Sequence, residues 1–313
     1  MLWLYQTAGF ILGLLFGSFL NVCISRLPKH ESIVHPPSHC PRCGKPIRWF
    51  DNIPVVGWLI LMGRCRDCKE PISWRYPVVE LVVALWFARS AVLIGDLILA
   101  VQNGSSHLSG SALINLGIVQ VGIAILGFLL IGLIVMDWQT HLLPDAFTLT
   151  GIAIGIFLVC TQAIFLGPHE GDVILNTTHQ LRMSSPGSMG IHGNIFMTGT
   201  EALVWGRIAS ILGAGGLLLL VRWLYKLVRR REGLGLGDVK LIAMIAAFLG
   251  FWPAILALFL GVLSATGYAL FLLARNKADR LTRLPLGSFI ATGGLIAAIF
   301  GDRLINIYAT LLR

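Results

Sequence analysis

The chain predicts an all-α polytopic membrane protein of about eight transmembrane helices, with a small cytoplasmic four-cysteine zinc-knuckle domain. Three observations carry that prediction. Of 313 residues, 56% are hydrophobic and only 12% charged, about half the charged share of a soluble domain. Several apolar runs approach or exceed the roughly 20 residues that cross a ~30 Å hydrocarbon core. Two Cys-x-x-Cys pairs fall in one basic segment between the first two runs. The net charge of +9 does not point to nucleic acid, because the basic residues cluster in a few loops, as membrane topology requires.

The expected spans are residues 2–24, 77–99, 114–136, 146–167, 203–224, 239–251, 253–274 and 286–309. The first has no Lys or Arg before it and Arg26 after it. A cleavable signal has the opposite charge order, so this run reads as a retained span. Gly13, Gly17 and Ser18 offer it a small face for close helix packing. The sixth span is too short to cross alone as a straight helix. Its break is expected at Trp252-Pro253, because proline ends or kinks a helix.

Lys and Arg alternate between rich and poor connections. Segment 25–76 holds nine, 100–113 none, 168–202 one (Arg182), 225–240 five and 275–285 four. The rich segments are therefore read as cytoplasmic and both termini as outside. That count places Asp137, Asp145 and Asp238 on the cytoplasmic side. The chain divides into a first helix at 1–24, a cysteine-containing domain at 25–76 and a membrane body at 77–313. Within the body, 168–202 is polar and aperiodic and reads as an external loop. No internal repeat is read.

Cys40, Cys43, Cys65 and Cys68 form the two pairs. Each pair places two thiolates on one turn, and two turns complete a tetrahedral site suited to zinc. Thiolates also accept iron. With all four positions filled by protein, such a site is structural, and the metal substitutes for a core in a domain of about 50 residues. His30, His35 and His39 read as solvent-exposed rather than ligating, and Cys23 and Cys160 as packing residues.

Two acids adjoin long apolar runs: Asp137 after Gly132-Leu133-Ile134-Val135-Met136, and Asp238 after Gly233-Leu234-Gly235-Leu236-Gly237. A carboxylate at the hydrocarbon boundary is costly and marks a functional site by default. Two carboxyls that share one proton can activate water and polarise an amide. The plainer reading makes each a helix cap or an ion-pair partner of Lys240 or Arg231. Asp145, after Pro144 at the start of a span, reads as a cap. The glycine run before Asp238 is no nucleotide fingerprint, since no strand precedes it.

These residues carry a resemblance. Gly17-Ser18-Phe19-Leu20-Asn21-Val22 with Arg26-Leu27-Pro28, the two cysteine pairs, Asp51-Asn52-Ile53-Pro54, and Ile72-Ser73-Trp74-Arg75-Tyr76-Pro77-Val78-Val79-Glu80 resemble the bacterial type IV prepilin peptidase family. So do Asp137 with Leu142-Leu143-Pro144-Asp145, and Gly235-Leu236-Gly237-Asp238-Val239-Lys240-Leu241. The matches run in family order from about residue 9 to 250. The resemblance implies a bifunctional enzyme of the bacterial inner membrane. It would remove the basic leader of type IV prepilins or type II secretion pseudopilins after a glycine, on the cytoplasmic side. It would then methylate the new N-terminus with S-adenosylmethionine. Asp137 and Asp238 match the family's catalytic acids, the four cysteines its methyltransferase-associated metal domain, and Glu80 an acid placed near methylation. Membrane lipid and the substrate's apolar helix are the implied partners, with no nucleic acid. The stretch 168–202 is longer than the family pattern. A proton-coupled transporter and a non-enzymatic zinc scaffold are the competing readings.

Overall fold

A computed structural model describes residues 2–102, 110–165, 199–230, 235–275 and 284–311. Its helices are α1 (Leu2–Arg26), α2 (Val56–Ile60), α3 (Arg75–Gln102), α4 (Gly110–Thr140), α5 (Asp145–Phe165), α6 (Gly199–Arg229), α7 (Leu236–Leu249), α8 (Phe251–Ala274) and α9 (Leu286–Leu311). Six of them (α1, α3, α4, α5, α6 and α8) are long and apolar enough to cross a membrane. Helix α9 opens with the shorter apolar stretch Leu286–Gly301. Helix α7 has 14 residues, about 21 Å at ~1.5 Å per residue, which is short of the core. The order and approximate number of membrane helices follow the sequence reading, including the short sixth.

Several boundaries differ. The interruption after α7 falls at Gly250, not at Trp252-Pro253. Gly250 adopts φ +91 and its N–H closes on the Ala246 carbonyl at 2.9 Å. Glycine takes that conformation without a Cβ clash. Pro253 instead lies in the first turn of α8, where its missing N–H has no helical partner to lose. Helix α4 continues through Thr140, so Asp137 sits in its last turn and the connection to α5 is only 141–144. Helix α6 begins at Gly199, inside the stretch read as external loop. Residues 168–198, Arg231, Gly233, Lys277, Arg280 and Arg283 lie outside the described residues.

Small residues set the helix spacing. Gly9, Gly13 and Gly17 recur every fourth residue along α1 and face α3. A Cβ on Gly13 would fall 2.5 Å from Ala84 Cα, and one on Gly17 2.6 Å from Glu80 Cα. That is the small-residue packing expected where lipid removes the hydrophobic drive between helices. The centre of the bundle is filled by Leu126, Leu130, Leu133 and Met136 of α4 with Leu241, Ile242, Met244 and Ile245 of α7. Helix α7 packs against α4, α5, α6, α8 and α9. That enclosure explains how a helix too short to cross is held inside the bundle.

Three polar contacts gather helix ends. Arg75 Nη1 donates to Gln139 Oε1 at 2.6 Å, Lys240 Nζ to Asp145 Oδ1 at 2.6 Å, and Ser288 N to Asp137 Oδ2 at 2.6 Å. The last turn of α4 therefore meets the first turns of α3 and α9, and α7 meets α5. The cysteine-containing segment connects α1 to α3 and leaves the bundle at this same end.

Candidate functional site

The two aspartates meet at that end. Asp137 is 5% and Asp238 9% exposed, and they lie close enough for their charges to interact. Asp137 Oδ2 accepts both the backbone N–H of Ser288 at 2.6 Å and its hydroxyl at 3.0 Å. Asp137 thus caps α9 from a neighbouring helix, satisfying one of the orphan donors of a helix N-terminus. Asp238 is the third residue of α7, and its carboxyl reaches back to the backbone N–H of Gly235, as in a capping box.

Leu143 joins the two arms. A Cβ on Gly237 would lie 3.1 Å from its Cβ, and one on Gly287 would lie 2.8 Å from its Cδ1 and 3.1 Å from Asp137 Oδ2. The wall beside Asp137 is therefore built from Leu143, Gly287 and Ser288. Sequence reasoning missed Gly287 and Ser288; the available signal was Pro285-Leu286-Gly287-Ser288, a helix start opposite the acidic ends. Lys240 pairs with Asp145 rather than with Asp238.

The four cysteines also converge. Their Sγ atoms lie within 4.8 Å of one another, with Cys40 and Cys68 at 3.7 Å. A tetrahedral thiolate site with ~2.3 Å metal–sulfur bonds has edges of about 3.8 Å, so the donor set fits a metal ion. Backbone N–H groups of Cys43 and Arg42 pull the Cys40 thiol down to about 7. At Cys68 a backbone N–H of Glu70 acts the same way, but desolvation and the neighbouring thiols push it up to about 12. None of the three histidines joins the cluster among the described residues.

The cysteine segment contains a repeat, contrary to the sequence reading. Cys40, Cys43, Pro46, Ile47 and Trp49 recur 25 residues later as Cys65, Cys68, Pro71, Ile72 and Trp74. The backbones match: Cys40 N donates to the Lys45 carbonyl as Cys65 N does to that of Glu70, and Gly44 and Lys69 have φ +69 and +59. The charges are inverted. Arg42 pairs with Glu70 at 3.0 Å while Asp67, the counterpart of Arg42, pairs with Lys45 at 3.2 Å. Because the copies exchange partners with opposite sign, each knuckle attracts the other.

Glu80 lies in α3, 7% exposed, between α1 and the cysteine segment. Its Oε2 accepts the N–H of Val55 at 2.7 Å, and Ser18 and Asn21 of α1 reach its carboxyl. Asn21 Nδ2 donates to the Tyr76 carbonyl at 3.0 Å, while its buried Oδ1 has no partner.

Two buried carboxyls and a cluster of four thiols able to hold a metal ion, gathered at one end of a bundle of apolar helices, define the class: a polytopic helical protein with two candidate centres. Residues 11–94 match the bacterial peptidase A24 N-terminal domain, and residues 188–270 the type IV leader peptidase family. Asp238 falls inside the second match and Asp137 between the two. A prepilin leader peptidase/N-methyltransferase of Pseudomonas aeruginosa is 32% identical over 95% of this chain and 91% of its own length. Proteins of the same name from Stutzerimonas stutzeri and Klebsiella pneumoniae are 29% and 34% identical, over 97% and 79% of this chain and 93% and 85% of their own lengths. The chain belongs to the prepilin leader peptidase/N-methyltransferase family. No solved structure matches it.

Proposed function

We propose that Asp137 and Asp238 are the catalytic pair of a leader peptidase, cutting prepilins or pseudopilins at the cytoplasmic face of the inner membrane. The observation that carries this is the meeting of two buried carboxyls at adjoining helix ends. One, ionised, takes a proton from water as its oxygen attacks the scissile carbonyl. The other, protonated, donates to the carbonyl oxygen. The tetrahedral gem-diol then collapses: the carboxyl that took the water proton passes it to the leaving nitrogen, the other recovers its proton from a gem-diol hydroxyl, and a carboxylic acid remains on the leader and an amine on the pilin. The substrate's apolar helix packs beside the enzyme's helices and holds its junction between the acids, which lowers the barrier by positioning.

Cys40, Cys43, Cys65 and Cys68 hold a structural zinc ion. Segment 25–76 serves methylation and the body at 77–313 serves cleavage. The family name supports a methyl donor, S-adenosylmethionine, which supplies an electrophilic methyl group when bound. The unpartnered Oδ1 of Asn21 beside the Glu80 carboxyl suits the ammonium or sulfonium charge of such a donor, and these two residues would hold it. The test is to incubate the purified full chain with a co-encoded prepilin and S-adenosylmethionine and weigh the product. Leader loss with one added methyl is expected. An intact prepilin, with the enzyme folded and metal-loaded, overturns the reading.

A further inference from the structure

The cysteine segment has an exposed apolar side that neither proposed centre uses. Val56, Leu59, Ile60 and Met62 belong to α2 and the turn after it. Leu59 is 60%, Ile60 65% and Met62 85% exposed. On a domain standing free in water, such a cluster would be an unexplained liability.

Its depth explains it. The N–H of Val55, immediately before α2, is bound to Glu80 Oε2 at 2.7 Å. Glu80 is the sixth residue of α3, so it lies about 7.5 Å along the helix from Arg75 at ~1.5 Å per residue. Helix α3 has 28 residues, about 42 Å by the same rise, and so overhangs a ~30 Å core by roughly 6 Å at each end if centred. Glu80 therefore sits near the boundary between headgroups and acyl chains, and the start of α2 is tied to that level.

The tie is built with strain. Val56 N donates to the Pro54 carbonyl at 2.6 Å, closing a three-residue turn on Val55 at φ +60 and ψ −50. That is the rare, strained form of the turn, and a β-branched residue at positive φ is an outlier. Glu80 holds it, and Trp58 Nε1, donating to the Ile72 carbonyl at 3.1 Å, binds the far side of α2 to the segment leading into α3. The surroundings match a membrane surface. Trp74, 70% exposed, precedes α3 directly, at the level where aromatic belts form. Segment 25–76 has nine Lys and Arg against Glu31, Asp51, Asp67 and Glu70, a balance that favours anionic headgroups.

We propose that α2 is an interfacial helix seated in the lipid: Val56, Leu59, Ile60 and Met62 enter the acyl-chain boundary of the leaflet beside the cysteine domain, and the Val55–Glu80 bond fixes their depth. The domain is thereby held flat against the bilayer instead of swinging on its two connections.

The test uses the unaltered full chain in vesicles of phosphatidylethanolamine and phosphatidylglycerol carrying a diazirine in the acyl chain. After photolysis, labelled peptides are mapped by mass spectrometry. Lipid adducts are expected in residues 56–62 and not in 40–48. Labelling of α1 and α3 with none in 56–62 overturns the proposal, whether water, a second copy or a pilin covers that face. Glu80→Leu is expected to lose the 56–62 adducts, and Glu80→Gln, which retains an acceptor oxygen, to keep them. A Glu80→Leu chain that labels like the parent removes Glu80 as the anchor.

Discussion

The cysteine centre and the aspartate centre sit at the same end of the molecule and are assembled in opposite ways. The first is closed by residues 40–68, two copies of one short knuckle with inverted charges. The second joins residues 101 positions apart (238 − 137) and exists only because α4, α7 and α9 present their ends to one another. A local centre takes its shape from turn hydrogen bonds, and its loss unfolds its own segment. A centre assembled from helix ends takes its shape from the bundle, and losing a side chain there leaves the bundle standing.

The largest effect should separate the two. Asp238→Asn keeps the shape of the side chain but cannot ionise, so leader cleavage is expected to vanish while metal content and helicity stay at parental levels. Cys40→Ser removes one of the four proposed ligands to a metal whose binding in small zinc domains is on the order of 10 kcal/mol. It is expected to lose the metal and methyl transfer, with cleavage reduced less. Measuring both activities and metal content in both variants checks this. Equal loss of cleavage in both, with metal retained in neither, would dissolve the distinction between the centres.

A smaller effect is expected at Gly287, which touches no substrate in the proposed mechanism. A Cβ there would lie 2.8 Å from Leu143 Cδ1 and 3.1 Å from Asp137 Oδ2, so the carboxyl or the leucine must move. Displacement of a reacting group by about 1 Å costs on the order of 10²-fold in rate. Gly287→Ala should therefore lower kcat by up to about that factor with thermal stability nearly unchanged. A parental rate in steady-state cleavage assays would mean that the leucine alone yields.

What the sequence disclosed follows the same division. Apolar runs and basic loops were enough for the order of membrane helices, because span length and loop charge are local properties. The cysteine spacing announced the convergence of four thiols for the same reason. Helix ends were less legible: α4 runs three residues past Asp137, since an interfacial helix need not stop where its apolar run stops. Gly250 rather than Pro253 breaks α7 from α8, because a proline in a first turn is no obstacle. Ser288 and Gly287 showed only as a helix start, since their importance comes from facing Asp137, which for Ser288 lies 151 residues away. The knuckle repeat was legible but disguised by its inverted charges.

The smallest effect concerns the support under the cysteine centre. Asp51 takes a bidentate contact from Arg66, with Oδ2 to Nε at 2.8 Å and Oδ1 to Nη2 at 2.6 Å. It thereby links the turn before α2 to the second knuckle. Hydrogen bonding to the Arg66 guanidinium holds the Asp51 carboxyl below its usual range. A carboxyl lowered on folding stabilises fully above its unfolded value, near pH ~4, and loses that contribution as pH falls through the lowered value. Asp51→Asn should therefore release metal at a slightly lower temperature than the parent. The gap should be constant between pH 5 and pH 8, because Asp51 stays charged throughout. A gap that narrows across that interval would mean that Asp51 titrates within it, and the Arg66 contact would then be too weak to tie the second knuckle to α2.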